Sequence, residues 1–216
     1  MKILALEFSS GQRSVAVLDA TASTLAMGEV IESGERGPFS MIEEALCQAG
    51  LEREQIECIA IGLGPGSYTG IRSSIAIAQG WQLASKVQLL GIGSDEVLAE
   101  QCREDGLIGP VNVIIDAQRN EFYVGTFSIA SHQITRVAPL RLMNAQEAQS
   151  LAQSDATVAG PDARKLPGTR LVYPRAATLA RMAPGRNNFV SGEELTPIYL
   201  RATTFVKAPP PRVLPS

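Results

Sequence analysis

The sequence predicts an α/β fold in two units, and three observations predict it. Between residues 1 and 105, apolar runs and helix-length segments follow one another as strand, strand, strand, helix, strand, helix, strand, helix. A second trio of strand-like runs opens after residue 106 and repeats the start of that pattern. The chain of 216 residues, 45% apolar and 19% charged, is long enough to bury two cores. Consecutive strands with short connections make an antiparallel meander, whereas strands separated by helices pair in parallel. The first unit therefore combines both habits.

The elements follow in order. "KILALEF", "SVAVLD" and "TLAMGEVI" are the first three strands, separated by the turn-like "SSGQR" and "ATAS". In "SMIEEALCQAG", Ser40 and Glu43 have capping-box spacing, Met41, Ile42, Ala45, Leu46 and Ala49 recur at helical spacing, and Gly50 is a C-terminal stop. This helix of about nine residues needs packing to hold it. "IECIAIG" is a buried-type strand, the loop "GLGPGSYTGIR" follows, and a helix runs from about Gly70 to Ala84 with Thr69 as its N-cap. "VQLLGI" is a strand and "SDEVLAEQC" a helix capped by Ser94. "EDGLIGP" reads as a linker, which sets the units at residues 1–105 and 106–206. The second unit holds strands "VNVIID", "EFYVGTFS" and "HQITRV", a short helix "AQEAQSLA", a strand "TVAG" and a short helix "AATLARMA". Residues 207–216, "KAPPPRVLPS", read as a Pro-rich extended arm.

Composition excludes several functions. No run of about 18 apolar residues exists, so no membrane span is expected. The apolar run Ile3–Leu6 stops at Glu7, so "MKILALEFSS" reads as a strand and not as a signal peptide. Three widely spaced cysteines, Cys47, Cys58 and Cys102, read as reduced thiols of a cytoplasmic protein. His132 is the single histidine, so no site with two histidine ligands is possible and no metal is expected. Residues 1–105 carry 7 basic and 15 acidic side chains, residues 106–216 carry 12 and 7, and no Lys/Arg cluster is dense enough for RNA binding by this chain alone.

The loop places Gly62, Gly64, Pro65, Gly66, Ser67, Thr69 and Gly70 within nine residues. Its spacing matches neither the dinucleotide fingerprint nor the P-loop, since no Lys follows the last glycine. Three readings remain: phosphate binding at the helix N-terminus, a tight turn, or close approach of another backbone. In the following helix Ser73, Ala76, Gly80 and Ala84 form one stripe of small side chains. Gly80 in mid-helix costs about 1 kcal/mol relative to Ala, which close approach of the chain's own sheet or of another subunit's helix would offset. Ile77 and Trp81 lie beside the stripe. Arg72, in the first turn, is unfavourable toward the helix dipole, so an anionic partner is expected for it.

"ILALEFSSGQRSVAV", "AIGLGPGSYTGIRSSIAIAQG", "IDAQRNEFYVGTF" and "TPIYLR" together resemble the TsaB/YeaZ family, a Gcp-like (glycoprotease M22-like) group. The resemblance covers residues 3 to about 201. It implies a two-domain actin-like ATPase fold (ASKHA, ribonuclease H-like) with a reduced second domain. It also implies a non-catalytic scaffold subunit in the pathway that makes N6-threonylcarbamoyladenosine at position 37 of tRNA. Such a subunit pairs with the TsaD transferase through its two N-terminal helices, recruits the ATPase TsaE, meets tRNA only through the complex, and forms a homodimer when alone. Carried onto this sequence, the interface comprises Met41, Ile42, Ala45, Arg72, Ser73, Ile77, Gly80 and Trp81. The chain departs from the family pattern at Glu7-Phe8-Ser9, where Asp-Thr-Ser is usual, at "GPFS" (37–40), where His-Ser is usual, and at Tyr68 in place of Phe. Glu7, Ser9 and Asp116 are the residues of any residual nucleotide cleft.

The alternative is an independent actin-fold kinase. It wants Gly-rich hairpins around the phosphates, yet "SSGQR" has one glycine and "AQRN" none. No bound ATP or other cofactor is therefore expected of this chain alone. A zinc peptidase would want closely spaced histidines.

Overall fold

A computed structural model describes residues 1–21, 26–34 and 36–200. The first sheet contains β1 (Lys2–Glu7), β2 (Arg13–Asp19), β3 (Ala26–Glu32), β4 (Cys58–Gly62) and β5 (Gln88–Ile92) in the order β3-β2-β1-β4-β5. The first three are antiparallel neighbours, and β4 and β5 add in parallel. The second sheet contains β6 (Gly109–Asp116), β7 (Glu121–Ile129), β8 (Ile134–Asn144), β9 (Thr157–Gly160) and β10 (Arg170–Leu171) in the order β10-β9-β6-β7-β8. It repeats the scheme of an antiparallel trio with two parallel additions. This is the two-sheet α/β arrangement that the sequence reading expects.

Period-two alternation turns Leu4 and Leu6 to one face of the first sheet and Ile3 and Ala5 to the other. The first face is covered by α1 (Pro38–Ala49) and α2 (Tyr68–Ala84). The second face is covered by α5 (Ala176–Met182) and one flank of α3 (Ser94–Glu104), whose Leu98, Ala99 and Cys102 pack on the second sheet. Helix α3 thus joins two cores, which is why it is buried nearly all round. Burial pushes the Cys58 and Cys102 thiols up to about 11 and about 12, so both are inert packing groups at neutral pH. Helix α4 (Ala145–Ala152) covers part of the second sheet. A single 3₁₀ turn, Ala163–Lys165, stands between β9 and β10 where α2 stands between β4 and β5. The second unit is reduced by that helix.

The start signals of three helices differ from expectation. Helix α1 begins at Pro38, whose fixed φ and missing N–H suit the first helical position; Gly37 is the N-cap, and the Ser40 hydroxyl donates to the Gly37 carbonyl. The Glu43 carboxylate pairs with Arg53 and closes no capping box. Helix α2 starts at Tyr68, capped by Ser67, whose hydroxyl accepts from Gly70 N at 3.3 Å, so Thr69 lies inside the helix. Gly93 caps α3, and Ser94 is its first residue. Gly50 ends α1 at φ 64, as its position predicts. Strand β8 runs well past "HQITRV"; Pro139 and a register shift opposite Val124–Thr126 hide the continuation from pattern reading.

The chain after Leu171 leaves the second sheet. Helix α5 packs on β1 and β2; Ala176 N donates to Ser14 Oγ at 2.8 Å, Arg175 pairs with Glu29, and Arg181 pairs with Glu104 at 2.7 Å. Residues 189–198 then return to the first sheet, where Val190 bridges to Leu89 and Ile198 N donates to Leu63 O at 2.9 Å. The expected second unit, 106–206, thus ends as a sheet at Leu171, and residues 176–200 belong to the first. The arm 207–216 lies outside the described residues. Among the described residues no helix is long and apolar enough to cross a membrane, and no group of three potential metal ligands forms.

Candidate functional site

The glycine-rich loop approaches the end of β1. A Cβ on Gly66 would lie 2.0 Å from the Ser9 carbonyl oxygen, and one on Gly70 would lie 2.0 Å from that of Phe8. Ser67 N donates to Ser9 O at 2.7 Å, and Gly66, at φ 147, takes a conformation that disfavours side chains. Glycines stand here because two segments of the same backbone touch. Pro65, Ser67 and Thr69 complete a turn that seats α2 on the strand end.

Beneath the loop lies Glu7, fully buried. Its carboxylate accepts from Ser9 N at 2.9 Å and from Ser94 Oγ at 3.0 Å, and Ser94 Oγ accepts from Gly64 N at 3.1 Å. Burial outweighs these hydrogen bonds and raises its pKa above the usual 4.5. An acid whose pKa is raised on folding contributes stability in full below its unfolded pKa, and loses it as pH rises through the folded value. Replacing Glu7 by Gln removes that dependence. The melting temperature of Glu7→Gln relative to the parent is therefore expected to rise from pH 4.5 to pH 8; a gap constant over that range contradicts the buried-acid assignment.

These observations correct the expectation of a residual nucleotide cleft. Glu7 and Ser9 are sealed beneath the loop, with Gly62 so close that a Cβ there would lie 2.0 Å from Glu7 Oε2. Asp116 sits on the second sheet, paired with Lys165 and holding Gln118 Nε2 at 2.8 Å. Neither Glu7 nor Ser9 faces open space.

Open space exists elsewhere, over α1 and α2. A groove of about 470 Å³ is lined by Phe39, Ile42, Ala76, Ile77, Gly80, Trp81 and Ala84, with Arg53, Glu54 and Ser85 at its polar edge. Ala76, Gly80 and Ala84 are exposed, and a Cβ on Gly80 would meet nothing within 4 Å. The small-residue stripe therefore faces outward, while Ile71, Ser74, Ile75 and Ala78 bind α2 to the sheet. Ile77 and Trp81 are half-buried and rest on the core. Phe39, at 61% exposure, forms an apolar wall on the α1 side.

The structure brings Ile42, Ile77, Gly80 and Trp81 together at this groove and corrects two other assignments. Met41 and Ala45 are fully buried against β1–β4, so they hold α1 in place and present nothing outward. Their helical spacing marked the inward face of α1. Ser73 is half-buried and does not line the groove. Arg72 is exposed beyond the groove; its guanidinium lies 4.3 Å from the Tyr68 ring centre and hydrogen-bonds the Tyr199 side chain, in place of the expected anion. Tyr68 in turn stacks on Tyr199, ring centres 5.9 Å apart. Pattern reading missed Tyr199 because this contact joins residues far apart in the chain. It also missed Phe39, which follows a proline and lies outside the apolar spacing of α1.

A family model described as "TsaD: tRNA N6-adenosine threonylcarbamoyltransferase" matches residues 39–200. The tRNA threonylcarbamoyladenosine biosynthesis protein TsaB of Haemophilus influenzae is 26% identical over 233 residues, covering 97% of this chain and 98% of that protein. The protein of the same name from Escherichia coli K12 is 28% identical over 123 residues, covering 57% of this chain and 53% of its own length. Among solved structures, YeaZ from Pseudomonas aeruginosa superposes with a TM-score of 0.74 at 24% identity, covering 92% of this chain and 99% of that one. A second crystal structure, of a protein with similarity to peptidase YeaZ from Pseudomonas aeruginosa, gives 0.77, also at 24%. These two share the fold.

Proposed function

The chain belongs to the family of tRNA N6-adenosine threonylcarbamoyltransferases and, within it, to the TsaB/YeaZ members, and from that premise we propose that it is a non-catalytic subunit that docks a TsaD-like transferase on its α1/α2 groove. Its place in forming threonylcarbamoyladenosine in tRNA follows from the membership. The docking face rests on one observation: an apolar groove floored by Ala76 and Gly80, where the helix carries almost no side chain and no atom of the described residues fills the space. A smooth floor between Phe39, Ile77 and Trp81 lets a second helix approach closely and bury aromatic area.

The chain then acts by packing. It fixes the geometry of the transferase, which carries the chemistry, and meets tRNA only through the complex. The same face serves a homodimer when the transferase is absent, and a TsaE-like ATPase joins the pair. Sealing of Glu7 beneath the loop supports the absence of catalysis and of ATP binding by this chain alone.

Co-expression with the TsaD-like subunit of the same cell, followed by size-exclusion chromatography, tests the proposal; a stoichiometric complex is expected. Titration of the isolated chain with ATP·Mg²⁺ is expected to give no heat of binding, and tight binding would favour the kinase reading. Arg72→Ala is expected to weaken pairing by about tenfold, the loss of one charge-assisted contact. Unchanged affinity would confine Arg72 to its contacts with Tyr68 and Tyr199.

A further inference from the structure

We propose that the first turn of α3 is a latch between the two units, in which Asp95 locks onto Arg136 and holds both sheets as one rigid body. Neighbouring residues of that turn bind opposite units. Ser94 N donates to Gly64 O at 2.7 Å, and Ser94 Oγ accepts from Gly64 N at 3.1 Å, which fastens the turn to the first unit. The carboxylate of Asp95 pairs with the Arg136 guanidinium of β8 at 2.6 Å, which fastens the same turn to the second sheet. Glu96 adds longer ties, to Arg136 at 3.4 Å and to Arg186, in the segment after α5, at 3.3 Å.

Room for this contact is built into both units. A Cβ on Gly93 would lie 2.7 Å from Asp95 Oδ1, and one on Gly125 of β7 would lie 3.2 Å from Asp95 Oδ2. The carboxylate thus fills space that two glycines leave, one just before α3 and one in the second sheet. Arg136 is aimed by its strand. It is the register partner of Phe127, where the pairing of β7 with β8 is irregular, and its guanidinium rests 4.6 Å from the Phe127 ring centre. The Asp95 side chain is only 3% exposed, so it has exchanged water for this one cation. Any rotation of one sheet against the other that withdraws Arg136 strands a charge in the interior, which is costly. Near the far end of α3, Arg103 Nη1 donates to Ser131 O at 2.9 Å, in the turn between β7 and β8. A pivot about the first turn is therefore resisted at the helix's other end as well.

The latch stands on the fold and not on the docking reading. Spin labels test it, one on Cys47, exposed on α1, and one on Ser150→Cys, exposed on α4; Cys58 and Cys102 are buried. Labelled chain is diluted in unlabelled chain, so that only distances within one molecule are read. The labelled parent is expected to give one narrow distance distribution. Arg136→Met, and Asp95→Asn combined with Arg136→Met, are each expected to widen it about twofold. Thermal melting separates the two variants. Arg136→Met leaves a buried carboxylate without its cation and is expected to melt lower than the double variant, in which no charge is stranded. Unchanged width in the folded double variant overturns the proposal, since packing of α3 alone then fixes the sheets. A parent distribution as wide as those of the variants overturns it too. Equal melting of the two variants does the same, because Asp95 then needs no partner.

Discussion

Gly80→Leu is expected to weaken the proposed docking of a TsaD-like subunit about 100-fold and to leave the chain folded. The new side chain enters open space above α2, where a Cβ meets nothing within 4 Å, so the monomer has no internal reason to object. Removing a mid-helix glycine adds about 0.5–1 kcal/mol of helix stability. The same four carbons would fill the floor proposed to receive a partner helix. Overpacking of that kind costs about 3 kcal/mol, equivalent to a loss of ~100-fold in affinity. Isothermal titration against the transferase subunit reads the loss, and thermal melting reads the intact fold. Normal stoichiometric co-purification of the variant places the interface elsewhere.

A pair of alanines in one helix gives the other large effect. Gly70→Ala puts a Cβ 2.0 Å from the Phe8 carbonyl oxygen, and backbone cannot step aside as a flexible side chain does. The cost is about 3 kcal/mol, or a melting temperature lower by roughly 6–12 °C in a chain of this size. Gly80→Ala, ten residues further along α2, meets nothing and is expected to raise the melting temperature by roughly 2–4 °C. The chemical change is the same and the signs are opposite. Equal shifts at the two positions would show that helix propensity, and not contact with the end of β1, decides both.

That contrast also shows how far the sequence could be read. The order of strands and helices was legible because buried positions recur with clear periods: Leu4 and Leu6 in β1, Met41, Ala45 and Leu46 in α1. Spacing names a buried face, however, without saying what covers it. Met41 and Ala45 were expected at a subunit interface and instead meet their own sheet. The small-residue stripe of α2 was legible because Gly80 in mid-helix has no intrinsic justification, but its outward direction was not, since the chain's own sheet would account for it as well as another helix. Helix starts were misjudged because several residues compete for each cap, and Pro38 and Ser67 outcompete Ser40 and Thr69 through geometry that only the fold supplies. The glycine-rich loop announced a close approach, but its target, the carbonyls of Phe8 and Ser9, lies nearly sixty residues earlier. Glu7 at a strand end suggested a cleft because sequence reports the acid and not the lid above it. The return of residues 176–200 to the first sheet had no local signal, since it depends on distant pairs such as Arg175 with Glu29.

The second sheet copies the first but has a 3₁₀ turn in place of the long helix between its parallel strands. Under the docking reading proposed above, a molecule with two such helix pairs, one on each half, would link head to tail and grow into an open polymer. With the pair on one half alone, the proposed face occurs once per chain, and contacts through that face stop at a pair.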